Sequence, residues 1–171
     1  MIGWETWERV REDGSFESRQ RVLVAEPVVE VSEAGARTLG VTYWQAVDRF
    51  TRGGVRASWT GSGGTLKLLG AAMLLHFGPP ELSFDGELVT CRHAIEGGLL
   101  ALRANGSVTL AQRREGDQQE LSVTVQGYVP RLAARAGAPP WTGLLYAKGQ
   151  SPIHAAVSRR YFELLLRSRE S

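Results

Sequence analysis

Hydrophobic and polar positions change period along this chain, and each change marks an element. The cleanest alternation runs over residues 120–129. Leu121, Val123, Val125 and Val129 fall on one side, and Glu120, Ser122, Thr124, Gln126 and Tyr128 on the other. A period of two with one dry face is that of a strand in an antiparallel sheet. Residues 87–95 repeat it, with Val89, Cys91, His93 and Ile95 opposite Leu88, Thr90, Arg92 and Ala94. Residues 98–103 and 107–113 read as a hairpin through Ala104-Asn105-Gly106, an Asn-Gly turn signal. Together these segments predict an antiparallel meander whose dry face needs a cover.

The last twenty-one residues supply one. From residue 153 to 167 there is neither glycine nor proline, and Ser151-Pro152 has the form of an N-cap followed by a first-turn proline. At about 100° per residue, Ile153, Val157, Tyr161, Leu164 and Leu165 share one side, with Ala155, Phe162 and Leu166 widening it. Arg159, Arg160, Glu163 and Arg167 fill a narrow polar stripe. So broad an apolar arc predicts a helix held on more than one side.

The N-terminal half is more mixed. Residues 4–11 and 16–24 flank the turn residues Glu12-Asp13-Gly14-Ser15 and predict a charged edge hairpin. Pro27 ends that run before a short apolar segment at 28–31. Over 32–50, Leu39, Tyr43, Ala46, Val47 and Phe50 keep helical spacing, with Ser32 or Thr42 as the N-cap, whereas Val41 to Trp44 favour strand and Gly35 and Gly40 weaken a helix. The reading adopted is a helix over 42–50. Gly53-Gly54 and Gly61-Ser62-Gly63-Gly64 bracket a strand at 55–60, which pairs with 65–69. Residues 71–77 suit either type of element and end at Gly78-Pro79-Pro80. Residues 135–150, rich in Gly, Pro and Ala and carrying Trp141, Leu144, Leu145 and Tyr146, read as a packed connection.

The pattern is that of one α+β domain over residues 1–171: a curved antiparallel sheet wrapped around a long C-terminal helix. A lipocalin-like barrel with a terminal helix is the alternative. Composition narrows the function classes. Twenty cations, eighteen of them arginine, against eighteen carboxylates leave a net charge of +2 with no block of like charge, which argues against a nucleic-acid partner. One cysteine excludes an intramolecular disulfide and a multi-thiolate zinc site. The longest apolar run is far shorter than the ~20 residues that span a bilayer, and the start lacks a signal-peptide pattern. The expectation is a cytoplasmic protein with no membrane partner.

Candidate chemistry is sparse. Cys91 and His93 share a strand face, which would suit two metal ligands, but no third has matching spacing, and an isolated Cys and His on an apolar strand face are more often plain core residues, so no metal is expected. The glycine-rich 61–65 stretch lacks the third glycine of a dinucleotide fingerprint and the Gly-Lys-Ser/Thr of a P-loop, so no cofactor is expected. Ser62 lacks the glycine two residues earlier that a nucleophile elbow needs, since position 60 is threonine. What remains is a polar ridge, His154, Ser158 and Tyr161, at helix-neighbour spacing inside the apolar arc. In a cavity such groups orient a ligand. Alternatively Tyr161 reaches the surface and His154 caps a backbone group. With His93, Tyr128 and Arg131 they make the candidate ligand contacts, Arg131 as a guanidinium for an acidic group.

The strand run from Val55 to Pro130 and the closing segment from Gln150-Ser151-Pro152-Ile153-His154 to Leu166 resemble the SRPBCC superfamily, the START/polyketide-cyclase-like helix-grip fold. That resemblance implies a sheet curved around one long C-terminal helix, an apolar cavity between them, and a small hydrophobic or aromatic ligand. In some members it also implies cyclase, dehydratase or hydrolase-like chemistry. The departure is at residues 1–50, where a charged hairpin and one helix replace the usual strand and two short helices. The family has no catalytic motif to carry over, so the catalytic residues are unknown. The enzymatic alternative uses His154 or His93 as general base; a third reading is a structural module, a homodimer through exposed strands.

Overall fold

The computed structural model describes residues 3–12, 15–60, 62–98, 105–128 and 140–169. Among them are nine strands and two helices. In chain order these are β1 (Trp4–Val10), β2 (Phe16–Val24), α1 (Glu33–Phe50), β3 (Val55–Thr60), β4 (Gly63–Leu68), β5 (Ala72–Phe77), β6 (Glu81–Asp85), β7 (Leu88–Gly97), β8 (Gly106–Glu115), β9 (Gln118–Tyr128) and α2 (Pro140–Arg169). The strands form one antiparallel sheet in the order β1-β2-β9-β8-β7-β5-β4-β3. Its end strands pair on one side only, so the sheet is open and the barrel alternative falls.

The alternation of β7 and β9 places their dry faces inward as expected. Val89, Cys91, His93 and Ile95 of β7 are buried, as are Leu121, Val123 and Val125 of β9. Gly78-Pro79-Pro80 divides what would be one long strand, since proline has no N–H to give the ladder. The two pieces use the same edge of β7: β5 pairs at His76↔Gly97 and Phe77↔Ile95, and β6 from Glu81↔Arg92 to Asp85↔Leu88.

Three expectations are corrected. β8 pairs with β7, from Leu88↔Arg113 to Ile95↔Gly106, and with β9 on its other edge. Neither edge is left for a hairpin with 98–103, of which only Gly98 is described and it is not in a strand. The first helix begins at Glu33, nine residues before the expected start at 42. Ser32 caps it by accepting from the Gly35 N–H at 3.1 Å, with Glu33 in its first turn and Arg49 in its last. The glycines thought to weaken it are where it meets other chain most closely. A Cβ at Gly35 would lie 1.9 Å from the Glu30 carbonyl oxygen, and one at Gly40 2.7 Å from Cys91 Sγ. Finally, α2 begins at Pro140, so 140–150 is helix rather than connection, and Ser151-Pro152 lies inside it. The first-turn proline rule applies to Pro140 instead.

Both helices lie on the inward face. Val157, Ser158, Tyr161, Phe162 and Leu165 of α2 are buried, each large apolar side chain contributing roughly 1.5–3 kcal/mol. The Tyr161 ring meets that of Tyr43 on α1 edge-on, centroids 5.6 Å apart. Phe162 packs on Trp4 of β1 at 5.2 Å. The segment before α1 is tied to the sheet by Gln112. Its side-chain oxygen accepts from the N–H groups of Val28 and Val29 at 2.7 and 2.9 Å, and its amide donates to the Val29 carbonyl at 2.8 Å.

Candidate functional site

α1 divides the space above the sheet because its apolar positions fall on two sides. Tyr43, Val47 and Phe50 face a hollow of about 300 Å³ closed by α2. Its sheet side is Phe77, Ile95, Val108 and Val125, and α2 contributes Ile153, His154 and Val157. The lining is almost wholly apolar, and His154 is its one imidazole. That ring is half-buried and stacks on Phe16, centroids 6.0 Å apart. Burial pushes its pKa down to about 4, so it is neutral at pH 7.

Gly40, Val41, Trp44 and Asp48 face a second hollow, of about 690 Å³, bounded by β3, β6 and β7. His93 and Cys91 lie at it, walled by Trp44 and Trp59. His93 is 2% exposed, with ring centroids 5.3 Å from Trp44 and 4.6 Å from Trp59. The Trp44 indole N–H donates to His93 Nε2 at 3.2 Å, and Cys91 Sγ lies 3.3 Å from the same nitrogen. The sulfur–nitrogen distance would suit a thiolate–imidazolium nucleophile, but burial pushes the thiol up to about 11 and the imidazole down to about 4. Both groups are neutral at pH 7, and the pair is not an activated nucleophile. Among the described residues no group of three or more His, Cys, Asp or Glu is placed to hold a metal ion.

No protein-family model and no curated protein matches this sequence. Solved structures do. Human STARD10 superposes with a TM-score of 0.50 at 9% identity, over 99% of this chain and 74% of that one. The fold is the helix grip. Fainter likenesses are to CalU16 from Micromonospora echinospora (TM-score 0.36, 14% identity, 99% and 94% of the two chains) and to StfQ, a di-domain ARO/CYC from the steffimycin biosynthetic pathway. For StfQ the TM-score is 0.46 at 11% identity, over 88% of this chain and 49% of that one.

In this helix grip the predicted contacts do not converge on one place. His154 lines the hollow between sheet and C-terminal helix. Ser158 and Tyr161 point inward but lie below it: the Ser158 hydroxyl donates to Gln20 Oε1 at 3.1 Å, and Gln20 Nε2 in turn donates to Ser18 Oγ at 2.6 Å. Tyr161 is fully buried, and its hydroxyl has no hydrogen-bond partner among the described residues. His93 lies across α1, at the other hollow. The Tyr128 side chain and all of Arg131 fall outside the described residues. Trp44, Trp59 and Tyr43 are not among the site candidates that the sequence offers. Their importance comes from the juxtaposition of α1 with β3 and α2, which no local periodicity encodes. Among the described residues, no helix is long and apolar enough to cross a membrane.

Proposed function

We propose that the protein binds a small hydrophobic or aromatic molecule in the helix-grip hollow between sheet and α2. The observation that carries this reading is the composition of that hollow. Side chains from the sheet and both helices enclose about 300 Å³ with an almost wholly apolar lining, at the lower end of the range for ligand pockets. His154 is its orienting polar contact. A neutral imidazole donates through one nitrogen and accepts through the other, which suits a hydroxyl or carbonyl on an otherwise apolar ligand. Tyr161 packs edge-on against Tyr43, one of the residues that line the hollow.

A base with a pKa near 4 takes up a proton poorly at neutral pH, so His154 is assigned to orientation rather than catalysis. Native mass spectrometry of the purified chain should show a lipophilic adduct, and aromatic or acyl compounds should raise its melting temperature. His154→Leu should weaken a hydroxylated ligand by about tenfold, the worth of one hydrogen bond, while leaving its deoxygenated analogue unaffected. Absence of both adduct and thermal shift would overturn the reading. Equal loss for both analogues would remove His154 from its role.

A further inference from the structure

We infer that one corner of the molecule, where the β4–β5 turn meets the link from α1 to β3, docks on the surface of an anionic lipid bilayer. The inference does not rest on the helix-grip reading and needs no ligand in either hollow. Its first observation is an apolar run that the fold turns outward. Residues 68–75, Leu-Leu-Gly-Ala-Ala-Met-Leu-Leu, are the longest such run in the chain, yet Leu68, Leu69 and Met73 are 42, 79 and 43% exposed. Leu69 lies at φ 50°, in the left-handed region that suits glycine or asparagine and strains leucine. So exposed a side chain gains little from the core, and the packing gives no reason for leucine at that position. The turn is fastened at its tip: the Leu69 N–H donates to the Gly54 carbonyl at 2.7 Å, which holds Leu69 beside the α1–β3 link. Phe50, the last residue of α1, is exposed at the start of that link.

The second observation is charge. From residue 49 to residue 80 the chain has no carboxylate, although it has eighteen elsewhere. The same stretch carries Arg49, Arg52, Arg56 and Lys67, and none of the four makes an ion pair among the described residues. Arg56 and Lys67 stand directly opposite each other across β3 and β4, with Met73 next in the same row on β5. Like charges so placed repel, and an anionic surface relieves them. On the α2 side of the corner, Glu163 beside Arg49 is already held by Arg160 at 3.1 Å, which leaves Asp48 as the nearest carboxylate along the chain. A bilayer matches both features at once, with acyl chains for the leucine tip and anionic headgroups for the cations around it. A protein partner fits less well, since interface centres favour Trp, Tyr and Arg, and residues 68–75 include none of them. The sequence expectation of no membrane partner rested on spanning and signal segments alone. Surface docking needs neither, and among the described residues no helix could cross.

The test is co-sedimentation of the full-length chain with phosphatidylcholine vesicles, with and without about one-quarter phosphatidylserine. Binding should favour the anionic vesicles by about tenfold or more and weaken as salt is raised. Leu69→Asn suits the left-handed backbone, so its melting temperature should equal or exceed the parent's, while its vesicle binding should fall by about tenfold. Arg49→Gln combined with Arg52→Gln should lose about fivefold per removed charge on anionic vesicles and little on neutral ones. Trp7→Gln, likewise exposed but at the opposite end of the sheet, should change binding by less than about twofold. The inference is overturned if the parent does not sediment with anionic vesicles, if Leu69→Asn binds as well as the parent, or if loss is confined to Trp7→Gln. It is also overturned if the parent self-associates without vesicles and Leu69→Asn does not, which makes the corner an interface between copies. Vesicle binding is read with no ligand of the hollows present, so its failure leaves the proposed function standing.

Discussion

His93 and His154 are both held neutral by burial, each with a pKa pushed from about 6.5 down to about 4. In the unfolded chain they take up protons through their ordinary range, so between pH 6.5 and 4 the unfolded state binds more protons than the folded one. Their contribution to stability is therefore complete above pH 6.5 and is lost as pH falls towards 4. Two carboxylates act lower on the scale. Glu5 is held low by its hydrogen bond from Arg21. At Glu120 burial pushes upward, but the hydrogen bonds from Arg21 and Arg19 outweigh it. Their share is lost only below about 4.5, where carboxyl groups begin to protonate in the unfolded chain. Urea unfolding midpoints measured from pH 7 to 5 should fall steadily, and a His93→Asn, His154→Asn double variant should flatten that slope. An unchanged slope would mean that the rings are not excluded from water.

At the scale of elements, α1 shows where local signals and packing part company. Its apolar spacing is legible in the sequence, and Ser32 is one of two candidate caps there, yet the spacing alone places the start at 42 rather than at Glu33. Gly35 and Gly40 were read by propensity, which penalises glycine in a helix, whereas the fold uses them for close approach to Glu30 and to Cys91. Contacts between residues 40 and 91 leave no trace in the spacing around either. Gly40→Ala would bring its Cβ to 2.7 Å from Cys91 Sγ and 3.3 Å from His93 Nε2. The gain in helix propensity is at most ~1 kcal/mol. Overpacking on β7 opposes it with about 1–3 kcal/mol. Net destabilisation is expected in chemical denaturation, and a stabilised variant would show that α1 lifts off β7 freely. α2 makes the same point in reverse: Ser151-Pro152 has every local mark of a helix start, yet lies within a longer helix beginning at Pro140. A proline signal states what a first turn tolerates, not that a helix begins there.

At the scale of the molecule, the alternation of β7 and β9 and the broad arc of α2 were enough to fix a sheet with a covering helix. They were not enough to reveal two hollows, because that depends on α1 standing between β3 and α2. For the same reason His93 and His154, which looked like partners in one site, fall on opposite sides of a helix. The openness of the sheet has a further consequence, for behaviour in solution. Among the described residues β1 ends the ladder, and its outer edge is a template for another strand. Along that edge stand Glu5, Glu8 and Arg9, all exposed. Charges in such a row disfavour the docking of a second copy, so the colloidal stability of the protein rests on side chains remote from either hollow. Replacing all three with threonine should give particles whose size by light scattering grows with protein concentration, at temperatures well below the variant's own unfolding transition. Unchanged scattering would show that the edge is guarded by something other than its charge.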